Sequence, residues 1–422
     1  MLEQTTDRMW YAIGAVLIGA AVIGGSMFIM PEAVASVGGM FEDFIGIVNN
    51  DPEREEIQDL IDNGFIPVAA GDELDNVRSA TVETYGKGTE WEGEYEGGLD
   101  KQYIQVKDVD LSEYSEEGWD PIGASVNYTS SFRGTYDGGN YVIKGLEVKG
   151  EGKIRQGLFG RTYEATIRNV GLIDNKVTGK WYVGGLVGEA GSTDISNSYA
   201  TGDVTGSLES GTGGIGGLVG TAGTGTNSNK NTTISNSYAT GSVKGRQSVG
   251  GLVGSASDNT MISNSYAEGS VTSKGSKINS VMAGGLVGYI STGTTISNSY
   301  ATGNVTGTVT GAGTGGTGGL VGAFYKFNDP VTISNSYATG LVTAGEGTGK
   351  NEVGGLVGQV YKDNDNITIS DTYWDINTTG QTSSYGGGAG KTTEEMKNQA
   401  TYSGWDFDTI WKIDGNDYPT LR

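Results

Sequence analysis

The octapeptide "ISNSYATG" reads identically at 195–202, 234–241, 296–303 and 333–340. "ISNSYAEG" at 262–269 departs at one position, and "ISDTYWDI" at 369–376 is a decayed sixth copy. One active site has no use for four identical octapeptides, so the repeat describes architecture before it describes chemistry. A second motif travels with it. "GGLVG" recurs at 184–188, 216–220, 250–254, 284–288, 318–322 and 354–358, preceded by "QGLFG" at 156–160, with leucine spacings of 28, 32, 34, 34, 34 and 36 residues. A period in this range signals a solenoid or propeller.

Each unit is dominated by Gly, Ser, Thr and Val, which are poor helix formers, so helical repeats of similar length are excluded. The short Val/Ile/Thr/Tyr runs between glycines read as strands and turns. Taking the isoleucine as marker gives eight units, at Ile143, Ile167, Ile195, Ile234, Ile262, Ile296, Ile333 and Ile369. The shortest interval, from Ile143 to Ile167, suits one coil of a parallel β-helix with three short strands and three corners. The predicted fold is therefore all-β, a right-handed parallel β-helix of about eight coils, with small mixed α/β caps and an N-terminal hydrophobic helix. Eight coils at ~4.8 Å each make a rod of roughly 40 Å.

This alignment places Gly145, Asn169, Asn197, Asn236, Asn264, Asn298, Asn335 and Asp371 at one position. Gly, Asn and Asp are the residues that tolerate a left-handed backbone, so the position reads as a corner. Stacked asparagines there form a ladder. Beyond the corner, Ser198 and Ala200 point inward and Tyr199 outward. The same alternation predicts an exposed row of Tyr199, Tyr238, Tyr266, Tyr300, Tyr337 and Tyr373, the best ligand-binding candidate in the chain. Rings at ~4.8 Å intervals would stack on sugars or on a partner protein. In "GGLVG" the leucine faces the core and the glycines allow a tight bend.

A rod of this kind needs capped ends. Helices are expected at 52–62 and near 72–79, and a strand at 102–106. At the other end "TTEE" (392–395) has capping-box spacing, and Trp405, Phe407, Trp411 and Tyr418 supply aromatic mass to lie over an exposed core. Residues 9–30 carry no charge and are long enough to span a bilayer, either as a retained anchor or as a signal peptide cut near Ala33-Val34-Ala35. Arg8 ahead of this segment and acidic sequence behind it place the body of the protein outside the cell. Small residues at four-residue spacing in 9–30 would let such helices self-associate. The chain thus divides into a cytoplasmic tip (1–8), a transmembrane or signal helix (9–30), an acidic helical linker (31–65), an N-terminal cap (66–131), repeats (132–374) and a C-terminal cap (375–422).

Composition narrows the function. The chain of 422 residues carries a net charge of −23, of which −18 falls within 42–120. Nucleic acid is therefore not an expected partner. There is no histidine and no cysteine, which removes histidine triads and the common zinc proteases. Asp174, Asp194 and Asp203 lie in turns and carry no paired acid–base signature. "YKDNDNITISD" (361–371) offers Asp363, Asp365 and Asp371 as a loose calcium set without EF-hand spacing, and no other cofactor is expected.

The "GLVG … ISNSYATG.VTG" alternation resembles the GLUG motif of bacterial and archaeal surface proteins. The stretch 108–148 is similar to the lead-in of such arrays, and 373–422 to their C-terminal closure. The resemblance implies a right-handed β-solenoid on an exported, adhesin-like protein. The expected role is a non-enzymatic surface adhesin or spacer, binding an unknown glycan or protein. The alternatives are a polysaccharide-degrading β-helix enzyme and a filament subunit assembled through residues 9–30.

Overall fold

The computed structural model describes residues 52–422, apart from 125–129, 209–212, 225–229, 277–280, 325–328 and 361–365. The hydrophobic segment 9–30 lies outside the described residues, as does the tip 1–8. Among the described residues no helix is long and apolar enough to cross a membrane. The chain divides into two compact units, Met1–Asn63 and Gly64–Arg422. Within the first, a helix covers Pro52–Asp62 and closes with the Asn63 amide on the carbonyls of Asp59 and Leu60.

The second unit is a solenoid of parallel strands in five stacked sheets. The coil that opens the complete array runs through Thr135–Asp137, Val142–Lys144, Glu147–Lys149, Ile154–Gln156 and Phe159–Tyr163. Each strand contributes to a different sheet, and the five-strand order then repeats. Each complete coil therefore has five strands, where the sequence spacing suggested three. The difference lies in "VTG" and "GGLVG". The glycines of "GGLVG" were expected only to bend, yet both segments make ladder bonds to the coils on either side.

Register follows the octapeptide. Ile167, Ile195, Ile234, Ile262, Ile296, Ile333 and Ile369 are successive partners in one sheet. Upstream, Ile167 pairs with Tyr136 and not with Ile143. Ile143 belongs to the next sheet, opposite Leu172. The expected alignment of the first coil was thus one strand out of step, and its 24-residue coil does not exist. An aromatic marker replaces the isoleucine there, and a marker chosen by residue type could not find it. The same slip misplaced Gly145, which lies in a different corner from Asn169.

The core is one continuous column. Leu158, Leu186, Leu218, Leu252, Leu286, Leu320 and Leu356 are all completely buried, as are Ile167, Ile195, Ile234 and Ile296. Burying each such side chain contributes about 1.5–3 kcal/mol. The leucine does face inward, and the glycines before it, at the bend between two sheets, serve close approach as well. A Cβ on Gly251 would strike the carbonyl oxygen of Gly285, and one on Gly285 that of Gly319. Only the absence of a side chain lets adjacent coils stack there at ladder distance.

The N-terminal cap is continuous with the array, because Ile66–Val68 pairs with Gln102–Gln105, which pairs with Thr135–Asp137. Its organiser is Glu73, fully buried, whose carboxylate accepts the amides of Ala69 (2.7 Å), Gly86 (3.0 Å) and Lys87 (2.8 Å). A buried charge persists only with such donors. At the far end the chain folds 383–388 over the last coil. The Gly355 amide donates to the Ser383 carbonyl (2.9 Å) and that of Tyr385 to Val357 (3.1 Å), while the Trp374 indole lies against Gly355.

Candidate functional site

The octapeptide copies, and "IRNVGLI" before them, build one corner seven times. Asn169, Asn197, Asn236, Asn264, Asn298, Asn335 and Asp371 all adopt the left-handed backbone, with φ between 47° and 57°. Asn and Asp bear this conformation at lower cost than other side-chain residues. The amides bond along the stack, with the Asn264 Nδ2 donating to Asn236 Oδ1 (3.2 Å), Asn298 to Asn264 (3.1 Å) and Asn335 to Asn298 (3.3 Å). Asn197 likewise donates to Asn169 (3.2 Å). Every donor points toward the N-terminus, so the first amide needs an acceptor without a coil to supply it. Asp137 provides it at 2.9 Å, and its second oxygen holds Arg168 (2.6 Å). The sequence carried no mark of this role, since Asp137 looks like any turn aspartate.

One residue further on, the serine turns into the wall. Ser198, Ser237, Ser265, Ser299 and Ser336 are buried. The Ser237 hydroxyl donates to the Ser235 carbonyl (2.7 Å) and accepts the Ser198 amide (3.1 Å), and the pattern recurs at Ser265 and Ser299. These hydroxyls satisfy backbone groups that the corner would otherwise leave unpaired.

The tyrosines follow at once, locked in register from Tyr199 to Tyr238, Tyr266, Tyr300, Tyr337 and Tyr373. The first five rings stack face to face, 4.8–5.0 Å apart between centroids and within 8° of parallel. Two consequences correct the expected exposed row. The ring faces are spent on one another, so sugar cannot stack on Tyr238 or Tyr266 without breaking the ladder. Exposure is also uneven. Tyr199, Tyr238 and Tyr266 are half-buried, whereas Tyr300, Tyr337 and Tyr373 are buried at 4%, 1% and 9% exposure.

The aromatics of the C-terminal cap cause the difference. Trp405, Trp411 and Tyr418 fold back along this face instead of lying over the open end of the core. Trp411 packs against Tyr300 and Tyr337, and Tyr418 against Tyr337. The Tyr337 hydroxyl donates to the Pro419 carbonyl (2.6 Å), and the Trp405 indole N–H to the Asp371 carbonyl (3.0 Å). The expected capping box is present, with Thr392 and Glu395 bonded reciprocally. Asp375 pins the cap. Its carboxylate accepts the amides of Asn377 (2.8 Å) and Thr378 (3.1 Å) and the Tyr418 hydroxyl (2.7 Å). Burial alone would raise its pKa, but these donors outweigh burial and hold it below the ordinary 3.8. Burial likewise raises every phenol of the row.

The remaining candidates separate. Asp194 lies in the isoleucine sheet, held by Thr233 and Lys230. Asp203 lies in the sheet of the "VTG" strands, bonded to Ser242, and Asp174 in the corner before it. Asp363 and Asp365 lie outside the described residues, and among those described no group of three acids could hold a metal. A hollow of about 510 Å³ beside Trp405 and Phe407 is edged by Asp406, whose carboxylate is occupied by the amides of Asp408 and Thr409. Glu189 in the "GLVG" sheet pairs with the buried Arg161 of the same sheet and with the partly buried Arg155 of the neighbouring one. Both arginines precede the octapeptides and carried no periodic signal.

Three coils match the family model of the GLUG motif, at 179–205, 245–272 and 279–306. The chain carries GLUG motifs. Halomucin of Haloquadratum walsbyi is 34% identical over 107 residues, 25% of this chain and 1% of that protein. A protein of Evansella cellulosilytica, provisionally named as a Gly-rich membrane protein, is 45% identical over 49 residues, 11% of this chain and 6% of that one. The matches therefore span only a small fraction of either relative's length. A crystal structure of a candidate immunoglobulin A1 protease from Bacteroides ovatus aligns with a TM-score of 0.50 at 21% identity, covering 84% of this chain and 91% of that one. It shares the fold. That neighbour's protease designation on the same fold overturns the expectation of a chain without enzyme activity, which had rested on the absence of histidine and of paired carboxylates in the repeats.

Proposed function

We propose that the protein is an extracellular, cell-surface solenoid that displays a binding face at a distance from the membrane, in the manner of an adhesin or spacer. The observation that carries this is the uninterrupted stack of coils. Each complete coil is bonded to the next complete one through five backbone ladders, and a side-chain ladder runs along the corner. Such a stack is stiff along its axis and repeats one surface chemistry at fixed intervals, which suits reach and multivalent contact. The GLUG motifs and the membrane designation of one relative support the same location, and the acidic balance argues against nucleic acid as a partner.

Protease shaving of intact cells tests the location. Peptides from 130–422 should appear in the released fraction, with the hydrophobic segment 9–30 left on the cells if it is an anchor. Beads coated with the full chain in detergent should adhere to a host or neighbour surface. Retention of the whole chain inside shaved cells would overturn the reading.

A further inference from the structure

The tyrosine ladder has two halves of three rungs each, and the molecule itself shows what fits one of them. Over Tyr300, Tyr337 and Tyr373 the cap lays indole and phenol rings against the stack edge and offers a carbonyl to a rung hydroxyl. The half formed by Tyr199, Tyr238 and Tyr266 continues the same surface with the same spacing and ring tilt. Its hydroxyls have no protein partner among the described residues. Asn197, Asn236 and Asn264 border it on one side, and Thr201, Thr240 and Glu268 on the other.

We propose that this open half docks an extended protein segment bearing tryptophan or tyrosine, seated as residues 405–419 seat on the neighbouring rungs. The proposal rests on the surface-module reading and specifies its partner as protein. Two features support a protein segment over a sugar. The ring faces are already covered, by neighbouring rings and, at the outer face of Tyr199, by Gly171, which leaves edges and hydroxyls, and tilted indoles pack against such edges where pyranose rings need faces. The interface would also be continuous with one the chain already uses, at identical register. An extended segment can match the ladder rung for rung and accept each phenolic proton with a main-chain carbonyl.

Nitration by tetranitromethane, read by mass spectrometry on the full chain, tests it. The probe is a synthetic peptide copying residues 402–422. Without probe, Tyr199, Tyr238 and Tyr266 should be nitrated and Tyr300 and Tyr337 spared. With millimolar-range peptide, the open rungs should be protected about tenfold, and a peptide with both tryptophans replaced by alanine should protect none. Thr240→Arg, which stands beside Tyr238 without entering the stack, should abolish protection while leaving the thermal transition unmoved. Failure of the peptide to protect, equal protection by the alanine peptide, or protection by soluble oligosaccharides alone would each overturn the proposal. None of these outcomes bears on where the protein resides, so its failure is separable from that of the surface reading.

Discussion

Tyr238 and Tyr337 occupy the same position of the same octapeptide, and their rings meet their neighbours in the same way. One is half-buried and one is sealed. The contrast teaches that a repeat dictates local geometry and leaves environment to whatever chain arrives from elsewhere. At Tyr337 a distant segment supplies Trp405, Trp411 and Tyr418, and at Tyr238 no such segment is present among the described residues.

The sharpest way to erase the contrast is to remove its cause. Trp411→Ala takes away a fully buried indole and should cost about 3–5 kcal/mol in chemical denaturation. If the cap is what distinguishes the halves, Tyr337 should then nitrate at a rate near that of Tyr238. Unchanged stability would show that the cap rests on the ladder without contributing to it.

Ringwise replacement measures the comparison directly. Tyr337→Ala should cost about 3–5 kcal/mol. Tyr238→Ala should cost about 1–3 kcal/mol, since it loses two stacking contacts but little full burial. Equal losses would mean that stacking, and not the cap, dominates both halves.

Alkali should separate the two halves by ionisation. Burial raises the Tyr300 and Tyr337 phenols well above their ordinary 10.0, and raises Tyr199 and Tyr238 as well. A folded pKa above the unfolded one stabilises fully below pH 10 and loses that contribution as pH rises toward the folded value. Denaturation midpoints should therefore hold to about pH 10 and fall beyond it. Ultraviolet titration should show the half-buried rungs ionising before the sealed ones, and simultaneous ionisation would count against the asymmetry.

The smallest effects sit at the cap's pin and in the corner. Asp375 has a lowered pKa, so its contribution is present above the ordinary 3.8 and lost as pH falls through the folded value. Asp375→Asn should cost about 1 kcal/mol at neutral pH and flatten the acid limb of the stability profile. Asn264→Gly keeps the left-handed backbone and deletes two amide bonds, and should cost about 0.5–1.5 kcal/mol, with no change at the capped rungs.

Much of this was legible in one dimension. The positive φ of the asparagines, the inward serine and alanine, the buried leucine and the short cap helices all follow from residue type and period. The five-strand coil was not legible, because "VTG" and "GGLVG" become strands only when another coil lies alongside to bond with them. Nor was the first coil's register, where Tyr136 stands for isoleucine. The buried half of the tyrosine row was missed for the same kind of reason, since no count of repeats reveals that residues 405–419 return to cover three of six rungs.

What the amino-acid order determined alone is the repeating unit, meaning which residues turn, which face inward and how often the pattern recurs. Those properties depend on backbone preference and side-chain polarity, both of which are local. What tertiary structure alone decided is which copies of that unit meet solvent and which acid begins the asparagine ladder. Those depend on contacts between segments tens of residues apart, and no short-range preference encodes them.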